Sequence, residues 1–219
     1  MAKLKNPCQC KEGERVLLVE GKNDCHVIMS LCQKHDIPET FCIHDCGSDD
    51  EVLKRLGALI LNEKSEIIGI VLDADIPENK PDIKARWQQL TDKLKKYGYS
   101  LSPQPDKKGT IHAQVGKYPQ IGIWLMPDNQ KTGMLEDFLK QLALPNTLAT
   151  AQSCVKCARR RQVTRFKDVH LSKAEIHTYL AWQDEPGNPF GTAITAHVLQ
   201  PDTEIAYIFT NWLKKLFSE

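Results

Sequence analysis

The apolar run from Ile67 to Leu72, in the segment "EIIGIVLDAD", constrains the fold more than any other feature of the sequence. A short, uninterrupted apolar run is typical of a strand whose two faces are both covered, as in a parallel sheet flanked by helices. The run stops at Asp73-Ala74-Asp75. The sequence therefore predicts a buried strand that ends in carboxylates.

Strand and helix patterns alternate through the first half of the chain. Strands are predicted at Arg15–Glu20 and Phe41–His44, and helices at Asp24–His35, from Ser48 and from Pro81 to about Tyr97. Ser48 with Glu51 forms a capping-box pattern, and proline suits the first turn of a helix. This order predicts an α/β fold with a mostly parallel sheet and right-handed crossovers.

The pattern changes in the second half. Two further strands are predicted near 110–115 and 121–126, followed by a helix at 134–142. Beyond Pro145 the chain reads as helical, at 156–167, 172–183 and 202–217. We therefore expect an α/β domain at 1–145 and a mostly helical extension at 146–219 that packs on it.

Composition limits the class of protein. The 219 residues are 41% hydrophobic, enough for a core, and the net charge is only +1, so a nucleic-acid partner would need a local basic patch or bound metal ions. The apolar runs are too short for a membrane span, and "MAKLKNPCQC" has no apolar signal core. We expect a soluble cytoplasmic protein without membrane contact.

The chain has eight cysteines, many for that compartment. Disulfides are rare in a reducing cytosol, so buried thiols or metal ligands are expected. Cys8-x-Cys10 and Cys154-x-x-Cys157 could together bind zinc, although the first pair lacks the usual knuckle spacing. Four further cysteines lie in apolar surroundings and are expected in the core: Cys25, Cys32, Cys42 and Cys46.

Acidic residues follow two of the predicted buried strands. Glu20 ends the first strand, and Asp73 and Asp75 end the strand that starts at Ile67. The carboxyl ends of parallel strands meet at one edge of a sheet, and Asp24 lies one helical turn after Gly21 at that edge. Clustered carboxylates need compensation by raised pKa values or by a bound cation, and oxygen ligands favour Mg²⁺ or Mn²⁺. The alternative is that these acids simply face water.

The segments "LLVEGKNDCHVI" and "GIVLDAD" resemble a Toprim domain, the catalytic module of topoisomerases, primases and related nucleases. By this resemblance Glu20 is a catalytic residue, acid/base or ligand, and Asp73 and Asp75 are metal ligands. Asp24 matches the Glu-Gly-x-x-Asp variant of the OLD-type (overcoming-lysogenization-defect) nucleases. The whole chain also resembles a family of stand-alone Toprim-like proteins, through "IWLMPDNQKTGMLEDFL" and "HTYLAWQDEPGNPFGTAI".

The same resemblance implies a second half of the site. A later acidic helix would hold a second metal, with Glu136 as the first candidate and Asp128 and Asp137 behind it. Acids in the first turn of a helix also fit simple capping. Lys173 would supply positive charge to the reaction, although a solvated surface lysine explains it equally well, and Lys22 is another candidate.

The segment "KCARRRQVTR" is the main basic stretch. Its side chains could contact phosphates, or they could form a solvated surface. The nucleic-acid-binding candidates are Lys22, Arg159, Arg160, Arg161 and Arg165.

Three functions follow from these patterns and this resemblance. The first is a Mg²⁺- or Mn²⁺-dependent nuclease acting on DNA or RNA. The second is a catalytically silent module that binds a partner such as an ATPase, since related Toprim proteins often accompany ATPases in anti-phage defence. The third is phosphoryl transfer on a nucleotide.

Overall fold

The computed structural model describes residues 15–74 and 82–217. Within these residues the strands are β1 (Arg15–Val19), β2 (Cys42–Asp45), β3 (Ile67–Asp73), β4 (Thr110–His112) and β5 (Gln120–Met126). The α-helices are α1 (Lys22–Lys34), α2 (Asp49–Ile60), α3 (Ile83–Lys95), α4 (Leu135–Lys140), α5 (Pro145–Arg160), α6 (Leu171–Leu180), α7 (Phe190–Thr195) and α8 (Glu204–Phe217).

The strands form one sheet in the order β2-β1-β3-β5-β4. The four strands β2, β1, β3 and β5 run parallel, and the short β4 runs antiparallel to β5 at one edge. Asp73 pairs with Met126, so β3 and β5 end at the same level. This arrangement confirms the predicted α/β fold with a mostly parallel sheet.

Alternate residues of the central strands enter two different cores. Leu17 and Val71 pack with α1 and the C-terminal helices on one face. Leu18 and Ile70 pack with α2 and α3 on the other face. Both faces of β1 and β3 are therefore buried, which explains why their sequences show an unbroken apolar run.

The C-terminal half is helical, as predicted, but its elements begin and end elsewhere. Helix α5 starts at Pro145 and ends at Arg160, so only the first part of the basic stretch is helical. A 3-10 turn at Asp168–His170 leads into α6. Helix α7, Phe190–Thr195, was not expected. Its length of six residues is too short to give a clear helical period.

The cysteines differ in state. Cys32, Cys46, Cys154 and Cys157 are free thiols. Cys25 and Cys42 each take part in a disulfide, so the expectation of a thiol at these two positions was wrong. That expectation came from the assumed compartment, and an apolar sequence context does not separate a buried thiol from a buried disulfide. Cys8 and Cys10 lie outside the described residues.

In the part of the chain that the structure describes, no helix is both long and apolar enough to cross a membrane.

Candidate functional site

A cleft of about 460 Å³ opens at the carboxyl edge of the sheet. It lies where β1 and β3 end and where α1 and α4 begin. Its lining includes five acidic residues and two lysines: Glu20, Asp24, Asp45, Asp73, Glu136, Lys22 and Lys173. Among the predicted site residues, the cleft thus brings together Glu20, Lys22, Asp24 and Asp73 with Glu136 and Lys173 from the second half of the sequence.

Glu20 and Asp73 are joined through the main chain. The Asp73 N–H donates to Glu20 Oε1 at 2.6 Å. The Asp73 carboxylate in turn accepts the N–H of Leu135, the first residue of α4, at 2.9 Å from Oδ1. These bonds fix β1, β3 and α4 relative to one another at the floor of the cleft.

Burial is the main cause that raises the pKa values of Glu20, Asp24 and Asp73, and repulsion between carboxylates adds to it. Burial raises the pKa of Glu20 to about 7, although the Asp73 N–H and the Arg86 charge oppose the shift. Burial, with repulsion from Glu20, also raises the pKa of Asp24 to about 7. The pKa of Asp73 rises for the same reasons, and Glu20, Asp24 and Glu136 all repel its charge. The four carboxylates therefore form one electrostatic cluster.

The two lysines of the cleft differ in their contacts. Lys173 Nζ lies 3.2 Å from Glu136 Oε1, and the lysine side chain is 48% exposed whereas that of Glu136 is 6% exposed. Lys22 is exposed at the start of α1. Lys173 therefore reaches from solvent towards the acidic cluster.

Two other candidate ligands, Asp128 and Asp137, do not line the cleft. Asp128 is buried after β5, and its Oδ1 accepts the N–H groups of Gln130 and Lys131. Asp137 forms an ion pair with Lys140 at 2.8 Å and accepts a hydrogen bond from Ser172. Asp75 lies outside the described residues. Glu136 is thus the member of the later acidic segment that lines the cleft.

Arg86 contacts the main chain of Asp73 at the end of β3, and the sequence did not predict this role. Its side chain is 1% exposed, and its Nε donates to the main-chain oxygen of Asp73 at 3.1 Å. It also pairs with Asp49 at 2.8 Å and donates to Gln89 at 2.9 Å. An isolated arginine in an amphipathic helix gives no sequence signal for such a role. Its burial and pairing emerge only from the packing of α2, α3 and β3.

The basic stretch lies on the surface of α5 and the segment after it. Arg160, Arg161 and Arg165 are exposed. Arg159 is paired with Asp168, so its charge is partly neutralised. Helix α5 packs against α6, the helix that carries Lys173. The first part of the basic stretch and Lys173 are therefore carried by two helices that pack against each other.

Comparison with known proteins places the chain in a family. A family model described as "Protein of unknown function (DUF3226)" matches residues 14–218. The chain belongs to this family. No curated protein and no solved structure matches it. The matched residues include both the acidic cleft and the C-terminal helices.

The donor set of the cleft fits a hard divalent cation. Its candidate ligands are carboxylate oxygens, which favour Mg²⁺ or Mn²⁺ over softer metals. Among residues 15–74 and 82–217, no three acidic, histidine or cysteine side chains are already arranged to hold a metal.

Proposed function

We propose that this protein is a Mg²⁺- or Mn²⁺-dependent phosphodiesterase that cleaves nucleic acid through a Toprim-like acidic site. The observation that supports this proposal is the convergence of Glu20, Asp24, Asp73 and Glu136 on one cleft, beside Lys173. Three of these buried acids, Glu20, Asp24 and Asp73, have raised pKa values, and such shifts often mark a cation or catalytic site.

The four acids would hold the metal, which when bound lowers the pKa of its water and stabilises charge on phosphate oxygens. Glu20 has a second possible role. Its pKa of about 7 suits proton exchange near neutral pH, and its Oε1 is already engaged by the Asp73 N–H. Proton exchange would therefore take place at Oε2.

Lys173 would supply positive charge at the mouth of the cleft. A phosphodiester gains negative charge as it is attacked, and a fixed cation near the reacting group stabilises that charge. Its partner Glu136 is buried while Lys173 remains half-exposed, so the amine can turn from Glu136 towards a bound phosphate.

A second function deserves a test because one observation favours it. The described residues contain no ready-made group of three metal ligands. A catalytically silent Toprim-like module, binding a partner such as an ATPase, would have no need of such a group. Phosphoryl transfer on a nucleotide is a third outcome.

The deciding experiment combines metal binding with cleavage. Mn²⁺ binding is measured by titration calorimetry, and cleavage is measured on supercoiled plasmid, single-stranded DNA and tRNA with Mg²⁺ or Mn²⁺. The native chain is compared with Asp73→Ala and Glu20→Gln. Glu63→Gln is the matched control, because Glu63 is exposed between α2 and β3 at the opposite edge of the sheet.

We expect metal-dependent cleavage that is lost in Asp73→Ala and Glu20→Gln and kept in Glu63→Gln. Losing a ligand or catalytic group typically costs about 100-fold or more in rate. Metal binding without cleavage of any polymer would favour the silent module or nucleotide chemistry. Cleavage that survives in both site variants would refute the proposed site.

A further inference from the structure

Two pairs of neighbouring residues connect α4 to α6. Glu136 and Asp137 lie in the first turn of α4, and Ser172 and Lys173 lie in the first turn of α6. Consecutive residues of a helix point in different directions, so the two residues of each pair make different contacts. Glu136 meets Lys173 at 3.2 Å at the cleft, and Ser172 Oγ donates to Asp137 Oδ1 at 2.6 Å beside it.

Lys140 completes the second contact. Its Nζ lies 2.8 Å from Asp137 Oδ1, 2.9 Å from Ser172 Oγ and 3.0 Å from Glu175 Oε2. The Lys140 side chain is 18% exposed. Gln152 of α5 donates to the same Glu175 oxygen at 3.2 Å. This partly buried group, Lys140, Asp137, Ser172 and Glu175, is called the α4–α6 lock below.

Both oxygens of Asp137 are occupied. Oδ1 receives Ser172 and Lys140, and Oδ2 accepts the Met134 N–H at 3.1 Å. Gly133 makes this approach possible, because a Cβ there would lie 2.7 Å from Asp137 Oδ2. Asp137 is therefore built to hold α4 and α6 together rather than to face the cleft.

Lys173 depends on this arrangement. In its own ion pair with the buried Glu136, the Lys173 side chain stays 48% exposed, and a pair that is open to solvent restrains a long side chain only weakly. A long lysine side chain held by one weak pair takes its position from the backbone that carries it. The backbone of α6 at that point is fixed by Ser172, the preceding residue, through the lock.

We propose that the α4–α6 lock positions Lys173 over the acidic cleft, with Asp137 and Ser172 as positioning residues and Asp137 not a metal ligand. The catalytic part of this inference rests on the proposed nuclease function. The positional part does not depend on that function. It concerns the location of Lys173 and the inference that Asp137 is not a metal ligand.

The test uses the full chain with Ser172→Ala, Ser172→Thr, Asp137→Asn and Glu136→Gln. Ser153→Ala is the control, because Ser153 is exposed on α5 and its hydroxyl donates to the Ala149 carbonyl of the same helix. Four quantities are measured: kcat and KM on the preferred nucleic acid, Mn²⁺ affinity by calorimetry, and the acetylation rate of Lys173 relative to exposed Lys95.

Ser172→Ala should lower kcat by roughly tenfold to 100-fold with KM unchanged, because a small displacement of a catalytic group has such an effect. Its relative Lys173 acetylation should rise about threefold as the weak pair with Glu136 loosens. Ser172→Thr should restore both values, since it keeps the hydroxyl. Asp137→Asn should keep the native Mn²⁺ affinity, whereas Glu136→Gln should lose it.

Native kcat and native Lys173 acetylation in Ser172→Ala would overturn the proposal, and so would an Asp137→Asn variant that loses Mn²⁺ as Glu136→Gln does. If the native chain cleaves nothing, the proposed function fails, but acetylation and Mn²⁺ affinity still decide whether the lock positions Lys173. The unfolding midpoints of the Ser172 and Asp137 variants are compared with that of Ser153→Ala. Equal midpoints show that a change in kcat or acetylation comes from positioning and not from loss of the fold.

Discussion

Glu20 and Asp24 are carboxyl groups for which the folded state favours the protonated form. Their pKa values rise from 4.5 and 3.8 to about 7, first because of burial and, for Asp24, also because of repulsion by Glu20. A raised carboxyl pKa means that the folded protein holds protons that the unfolded chain releases. The metal-free protein therefore loses stability as pH rises from about 4 towards about 7.

This pH dependence can be measured on metal-free protein with a chelator present. The free energy of unfolding should fall between pH 4.5 and 7, by up to about 1.4 kcal/mol per pH unit for each titrating group. Asp24→Asn removes one ionisation and one source of repulsion, so its urea midpoint should fall less steeply and lie above the native value at pH 7.5. Glu63→Gln should follow the native curve. Parallel curves for the native chain and Asp24→Asn would contradict the raised pKa of Asp24.

Among the packing contacts between whole elements, helix α8 lies directly on the centre of the sheet. Gly69 of β3 and Gly122 of β5 are paired in register, and Leu216 of α8 covers both. A Cβ at Gly122 would lie 2.2 Å from Leu216 Cδ2, and Leu216 is fully buried. These two glycines therefore allow the helix to approach the strands closely.

Gly122→Ala should destabilise the protein by about 1–3 kcal/mol, because the added methyl group overpacks a closed core. Gly57→Ala is the control with the opposite sign. Gly57 lies inside α2, and its nearest neighbour to an added Cβ is Tyr97 Oη at 3.4 Å. Alanine there should stabilise by about 0.5–1 kcal/mol through helix propensity. Urea unfolding followed by circular dichroism distinguishes the two, and a neutral Gly122→Ala would show that α8 can shift.

The sequence allowed the central strands and the first three helices to be predicted because their burial produces clear periods. Glu20, Asp24 and Asp73 could be predicted to share an edge, since the ends of parallel strands converge, whereas Glu136 was expected there only from the resemblance. The strand order β2-β1-β3-β5-β4 could not be predicted, because pairing between distant strands leaves no local pattern. Arg86 and the α4–α6 lock were missed for a similar reason: their roles depend on contacts between side chains far apart in the chain.

Charge is distributed unevenly over the whole molecule, although the net charge is +1. The cleft carries clustered acids, and the end of α5 and the segment after it carry Arg160, Arg161 and Arg165 on an exposed surface. The chain runs from that surface through the 3-10 turn into α6 and Lys173. A nucleic acid held on the arginines would thus lie next to the helix that lines the cleft.

Replacing Arg160, Arg161 and Arg165 together by glutamine should therefore weaken nucleic-acid binding without removing the chemistry. Each lost phosphate contact should reduce the slope of log K against log salt by about 0.9 on duplex DNA or about 0.7 on a single strand. Cleavage of the small ester bis-p-nitrophenyl phosphate should stay at the native rate, because that substrate reaches only the cleft.

The charge-matched control replaces Lys95, Lys107 and Lys108, which are exposed on α3 and on the turn before β4. It removes the same three charges, so it separates a local basic surface from a general effect of net charge. An equal loss of binding in both triple variants would show that only net charge matters. Native binding and native salt slope in the arginine variant would place the nucleic acid elsewhere on the molecule and leave Lys22 and Lys173 as its contacts at the cleft.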